Sequence, residues 1–169
     1  MRVSPDEYAP FYETYVRLVK DLHPLEVLEQ SVQEVVQLIH GLGEEGALHR
    51  YAPGKWSVKE LLGHIVDTER IMSYRLLRIA RGDQTPLAGY EEDDYVRSAA
   101  FDDRPLTDLL EEYSAVRRSS VALLKSLGEE ALLRRGTANG HPCSARAIAY
   151  IMAGHERHHV GVLRERYLS

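Results

Sequence analysis

Four long amphipathic stretches, one long polar connection and the heights of three histidines predict the fold: all-α, a four-helix bundle of up-down-down-up topology. A short N-terminal helix precedes it. The 169 residues suffice for a single domain, 1–169, with a core of its own.

Residues 1–22 place Tyr8, Phe11, Tyr15, Leu18 and Leu22 at helical spacing behind Pro5-Asp6, which predicts the added helix, its aromatic stripe against the bundle. Pro24 opens the first bundle helix, with Leu25, Leu28, Val32, Val35, Val36 and Ile39 on one face and Gly41 closing it. His23 and His40 flank that face and read as surface residues. The glycine-rich connection after Gly41 ends in Ser57-Val58-Lys59-Glu60. This is a capping box: it starts the second helix and puts Trp56 at the staple position, a structural anchor. That helix runs to about Arg81 with Val58, Leu61, Leu62, Ile65, Met72, Leu76 and Ile79 inward. Glu69 falls near the middle of the same face. A buried carboxylate needs a partner, and Arg117 is the expected one.

Residues 82–104 are rich in turn and acidic residues, Glu91-Glu92-Asp93-Asp94 above all. They predict a solvated crossover loop, from which a carboxylate can reach a cation. Pro105 opens the third bundle helix, with Leu106, Leu109, Leu110, Tyr113, Val116, Ser120, Leu123, Leu124 and Leu127 inward until Gly128. A second loop is expected at 136–142, after which Ser144 caps the last helix. The lone Cys143 rules out an intramolecular disulfide, and one thiol beside a helix start is poor evidence for a nucleophile.

On the last helix Ile148, Met152, His155, His159, Val162 and Leu163 share a stripe, so two histidines occupy core positions one turn apart. Alone, either would read as a satisfied core residue. As a pair at i and i+4 they can both reach one cation, which makes them half of a metal site. The same residues spell the H-E-x-x-H of zinc proteases, but those need a third ligand downstream and only residues 160–169 follow. The third ligand must come from upstream, and His64, on the flank of the second helix's apolar face, is the best placed. At 1.5 Å per residue His64 lies about 10 Å from the start of its helix, and His155 and His159 about 18 and 12 Å from the end of theirs. These heights match when the second and fourth helices are antiparallel, which requires the long connection to cross over.

Three neutral imidazoles leave coordination positions free, the arrangement of chemistry rather than scaffolding, and suit Zn²⁺ or Ni²⁺ ahead of Fe²⁺ or Mn²⁺. Glu156, next to His155, is the candidate base or an acceptor for an imidazole N–H; a solvent-facing helix carboxylate is the alternative. His158 is aimed off the stripe.

The run Trp56-Ser57-Val58-Lys59-Glu60-Leu61-Leu62-Gly63-His64 on one helix, with Gly154-His155-Glu156 and His158-His159 on the last, resembles the DinB-like superfamily. Within it, the pattern is similar to the YfiT-like metal-dependent hydrolases. The resemblance extends over about residues 5–168. It implies the bundle topology already inferred and a divalent metal on His64, His155 and His159. It also implies either hydrolysis or S-transfer of a low-molecular-weight thiol, as in the family's bacillithiol transferases and its mycothiol-dependent isomerase, and frequent dimers.

Net charge is −5, and no cluster of Lys and Arg falls on one predicted face, which excludes a nucleic-acid partner. No apolar run approaches the roughly 20 residues of a membrane span, and the N-terminus lacks a secretory core. The expectation is therefore a cytoplasmic protein with a small-molecule substrate. The rival is a non-catalytic metal-binding or stress-response bundle, its free coordination position blocked by a side chain.

Overall fold

Proline placement separates the observed N-terminus from the expected one. In the computed structural model, which describes residues 2–168, the segment before the bundle is two 3₁₀ turns, Pro5–Glu7 and Pro10–Tyr12, and a single α turn, α1 (Glu13–Val16). Among the described residues 2–22 no continuous helix forms. Pro10 forces Ala9 into extended backbone at φ −66°, ψ 142°, which breaks the run. Tyr8 and Val16 are buried, while Phe11, Leu18 and Leu22 stay exposed. Glu7, buried, accepts from Ser144 Oγ and Arg146 Nε at 2.6 Å each and ties this segment to the start of the last helix.

The bundle helices are α2 (Pro24–His40), α4 (Val58–Ala80), α6 (Leu106–Lys125) and α8 (Ala145–Val162), the last continuing into a π turn, Leu163–Tyr167. The short α3 (Gly43–Ala47) lies in the first connection. The capping box forms as expected: Glu60 N–H donates to Ser57 Oγ and Ser57 N–H to Glu60. Inside the crossover is α5 (Glu92–Ala99), followed by a 3₁₀ turn at Phe101–Asp103. The acidic run is thus a helix start rather than a solvated loop: Glu92, Asp93 and Asp94 sit in its first turn, where the helix dipole favours negative charge. Val96 and Phe101 are its buried anchors. After α7 (Glu129–Leu133), the expected second loop is a hairpin, β1 (Arg135–Ala138) and β2 (His141–Ser144). Asn139 and Gly140 at its tip take φ 51° and 75°, the two positive angles of a type I′ turn.

Cross-helix pairs give the directions. On α4 and α6, Glu69 meets Arg117 and Ser73 meets Ser120, so the two run parallel. On α4 and α8, His64 meets His159 and Glu69 lies beside Glu156, so they are antiparallel. Glu29 meets Lys125 and Ser31 meets Arg117, so α2 opposes α6. The topology is up-down-down-up. Around the ring the order is α2, α6, α4, α8, and the sequence-adjacent pairs α2/α4 and α6/α8 stand on the diagonals. Consecutive antiparallel helices therefore do not pack side by side as hairpins. The connections before α4 and α8 carry their own secondary structure and are long enough to step across the bundle.

The apolar core forms two clusters. One joins Met72, Leu76 and Ile79 of α4 to the first half of α8; the other joins Val58–Val66 to Leu106–Tyr113, Val35 and Ile39. Between them lies a polar layer: Glu69, Arg117, Glu156 and the histidines of α4 and α8. Among the described residues no helix is long and apolar enough to cross a membrane.

Candidate metal centre

His64 and His155 are buried and His159 is half-buried. Their Nε2 atoms form a near-equilateral triangle: His64 to His155 3.0 Å, His64 to His159 3.2 Å, His155 to His159 3.1 Å. Two glycines let neighbours press against the ligand helices at this level. A Cβ on Gly63 would lie 2.4 Å from the Phe101 ring, and one on Gly154 would lie 2.2 Å from the Tyr15 carbonyl oxygen. Each glycine precedes a histidine. Aromatic rings hold those histidines: Trp56 packs on His64 with centroids 4.7 Å apart, and Tyr15 meets His155 edge-on at 5.2 Å. Trp56 is therefore more than the staple its position predicts. His158 packs against Tyr15 outside the triangle.

Burial keeps all three rings neutral. It lowers the His64 pKa to about 4, against a small opposing pull from Asp93. It lowers His159 to about 2, helped by His64 and His158, and takes His155 far down as well, helped by its two partners. Three neutral imidazoles with converging nitrogens cannot satisfy one another, because each has a single N–H and the triangle brings lone pairs together. A cation resolves this. Two nitrogens bound to one ion at ~2.05 Å stand ~2.9 Å apart at a right angle and ~3.3 Å apart at the tetrahedral angle. The observed edges fall between these limits, and the residues fit a divalent ion held on one face with positions left free.

Glu156 is not at this centre. Its carboxylate, 1 % exposed, accepts from Tyr113 OH at 2.6 Å and is paired with Arg117. Arg117 also grips Glu69, through Nη2 at 2.7 Å and Nε at 2.9 Å, as expected. The structure thus engages this carboxylate with a guanidinium and a phenol, where the sequence offered it as a base or as the acceptor of an imidazole N–H. It is not solvent-facing either. Glu92 takes the place beside the histidine triangle, its Oε2 3.8 Å from His64 Nε2. Burial, then Asp93 and Glu91, raises its pKa. The acidic run hinted at such a carboxylate, but only the fold of α5 selects which one.

A cavity of about 260 Å³ reaches His155, walled by Tyr12, Tyr15, Thr68, Arg75, Tyr90 and Glu92 among others. The Thr68 and Tyr90 hydroxyls are hydrogen-bonded at 2.7 Å across one side. Arg75 and Tyr12 were not singled out in the sequence, and Tyr15 only as part of an aromatic stripe against the bundle; Arg75 carries only the signal of a charged residue amid α4's inward positions.

The DinB superfamily model matches residues 28–163, the whole bundle from α2 to the start of the π turn. The chain belongs to the DinB superfamily. As a DinB protein it is 24% identical over 149 residues, 86% of this chain and 85% of the relative, to a protein of Oceanobacillus iheyensis named "putative metal-dependent hydrolase". Its fold matches that of YfiT from Bacillus subtilis, described as "a probable metal-dependent hydrolase with an unusual four-helix bundle topology". The TM-score is 0.73 at 16% identity, over 97% of this chain and 91% of YfiT. The diagonal placement of sequence-adjacent helices is a feature of this chain's own bundle.

Proposed function

We propose that this DinB protein is a metal-dependent hydrolase of a small molecule, with His64, His155 and His159 as the metal ligands. The observation that carries the reading is the triangle of neutral Nε2 atoms beside a cavity that reaches it. The names of the two relatives agree with it. A divalent ion held there supplies Lewis-acid activation of water and of the substrate carbonyl or phosphoryl oxygen.

The chain's own groups do the rest. His64, His155 and His159 bring no charge, so the centre keeps the full charge of its ion. Tyr15, Trp56 and Phe101 fix the ligand helices and shield one side from water. Glu92 Oε2 is the proton acceptor, placed on the crossover side of the histidines where the cavity lies. The unblocked cavity argues against a purely metal-binding role. The uncompensated positive charge also favours a thiolate, so S-transfer is the second reading.

The test is metal content of the purified protein by elemental analysis, with His64→Ala and His159→Ala alongside, followed by ester, amide and thiol-transfer assays. About one divalent ion per chain, absent from both variants, together with hydrolysis that needs the ion, is the expected result. No binding after incubation with Zn²⁺ or Ni²⁺ would overturn it, and metal-dependent turnover only with thiol present would favour transfer.

A further inference from the structure

The cavity beside the histidines contains a charge that the metal centre does not use. Arg75 is only 3 % exposed and lines that cavity. Arg117 and Arg146, the other well-shielded guanidiniums of the bundle, face Glu69 and Glu156 and Glu7 respectively. Among the described residues no carboxylate lies within ion-pair distance of Arg75. Its Nη2 donates to the Ala88 carbonyl at 2.7 Å, its Nη1 points at Met72 Sδ at 3.8 Å, and the guanidinium also hydrogen-bonds the Tyr12 hydroxyl. A carbonyl, a thioether and a neutral phenol leave the charge uncompensated, and a guanidinium has five N–H groups to place.

We propose that Arg75 is the anion-binding group of the substrate cavity, and that the substrate is a small molecule carrying a carboxylate roughly 12 Å from the bond that is cut. The inference rests on the metal-centre reading and names its substrate class. His64, Thr68, Met72 and Arg75 follow one stripe of α4 at spacings of four, four and three residues. The contact with Met72 shows the guanidinium folded back one turn toward His64. At 1.5 Å per residue the level of Met72 is about 12 Å from that of His64, which sets the span. Glu91 and Glu92 line the crossover side of the cavity and disfavour an anion near them, so the carboxylate is steered to the Arg75 end. The tyrosine walls suit an apolar or aromatic body between the two ends. A planar, bidentate carboxylate matches the guanidinium fork.

The alternative is that Arg75 only fastens the crossover through Ala88. Calorimetric titration of the zinc-loaded protein separates the two. The probes are monohydroxamates of straight-chain dicarboxylic acids of increasing length, with alkyl hydroxamates of the same lengths as controls. The terminal carboxylate should tighten binding roughly 10- to 100-fold at one length, the range of a charged hydrogen-bonded pair. Arg75→Met should abolish that gain while leaving zinc content and alkyl hydroxamate affinity unchanged. Arg75→Lys, which keeps charge but not the fork, should retain part of it. No gain at any length, or a gain that persists in Arg75→Met, would overturn the proposal while the metal centre stands. If the alkyl hydroxamates themselves fail to bind the zinc-loaded protein, the metal-centre reading falls and this inference with it.

Discussion

At the scale of single residues, the histidines are tuned by burial, and that makes a signed prediction for the metal-free protein. The His64 pKa in the fold is about 4 against an unperturbed 6.5, so between these values the unfolded chain binds more protons than the native one. The stabilisation from keeping His64 neutral is therefore complete above pH 6.5 and is lost as pH falls toward 4. By the shift alone His64 accounts for about 3 kcal/mol, and His159 and His155 add to the loss over the same window and extend it to lower pH. Urea titrations of metal-free protein at pH 7 and pH 4.5 should show this drop, and a His64→Phe variant should reduce it without abolishing it, since His155 and His159 titrate over the same window; equal stability at both pH values would contradict it. Glu92 and Glu156, both near the histidines in sequence or space, should separate cleanly. Glu92→Gln should keep the metal and lower turnover by roughly 10²- to 10⁴-fold, the range for loss of a proton-transfer group. Glu156→Gln should act on stability instead, because its oxygens belong to Tyr113 and Arg117. A Glu92→Gln enzyme with full activity would remove that residue from the mechanism.

At the scale of elements, what was legible depended on how far each element relies on periodicity. The four long helices repeat apolar residues over many turns, and their limits are marked by Pro24, Ser57, Pro105 and Ser144, so their existence, the capping box and the His64, His155, His159 set were all readable. Elements of one or two turns lack that redundancy. α5 needs only Val96 and the neighbouring Phe101 to anchor it, and in the sequence four acidic residues hide it. The hairpin carried a clear signal, Asn139-Gly140, yet Pro142 and the short flanks concealed its strands. Contacts that link elements left only faint traces, such as the glycine before each of two ligands. Those traces are testable. In Gly154→Ala the new methyl meets the backbone carbonyl of Tyr15 at 2.2 Å, which a rotamer change cannot relieve. α1 must back away, at a cost of about 1–3 kcal/mol, and the Tyr15 ring leaves His155 with it. Chemical denaturation should show the loss, and an unchanged midpoint would mean that α1 is not held where the structure puts it.

At the scale of the whole molecule, function and instability occupy the same slice of the bundle. Two apolar clusters are separated by a layer in which Glu69, Arg117, Glu156 and Tyr113 fill the interior and the three histidines fill one side. Two carboxylates share one guanidinium there, and Arg117 also donates to the Leu28 carbonyl and Ser31 Oγ of α2. This single side chain therefore contacts α2, α4 and α8 from α6, joining helices that stand on both diagonals of the ring. Such a cluster is a register device: sliding any helix by one turn would leave a buried charge without its partner, whereas apolar layers above and below would tolerate the slip. It also fixes α4 and α8 at the level where His64 meets His155 and His159, since Glu69 and Glu156 lie five residues and one residue from His64 and His155 on those helices. Arg117→Met should cost about 3–5 kcal/mol, because it strands two buried carboxylates. Combining it with Glu69→Gln and Glu156→Gln should recover much of that stability, since the stranded charges go with the arginine. If register is the cluster's role, the triple variant should fold yet bind metal more weakly than the wild type, the histidine triangle having lost what aligns it. A triple variant with restored stability and unaltered metal affinity would show that the apolar clusters set the register alone.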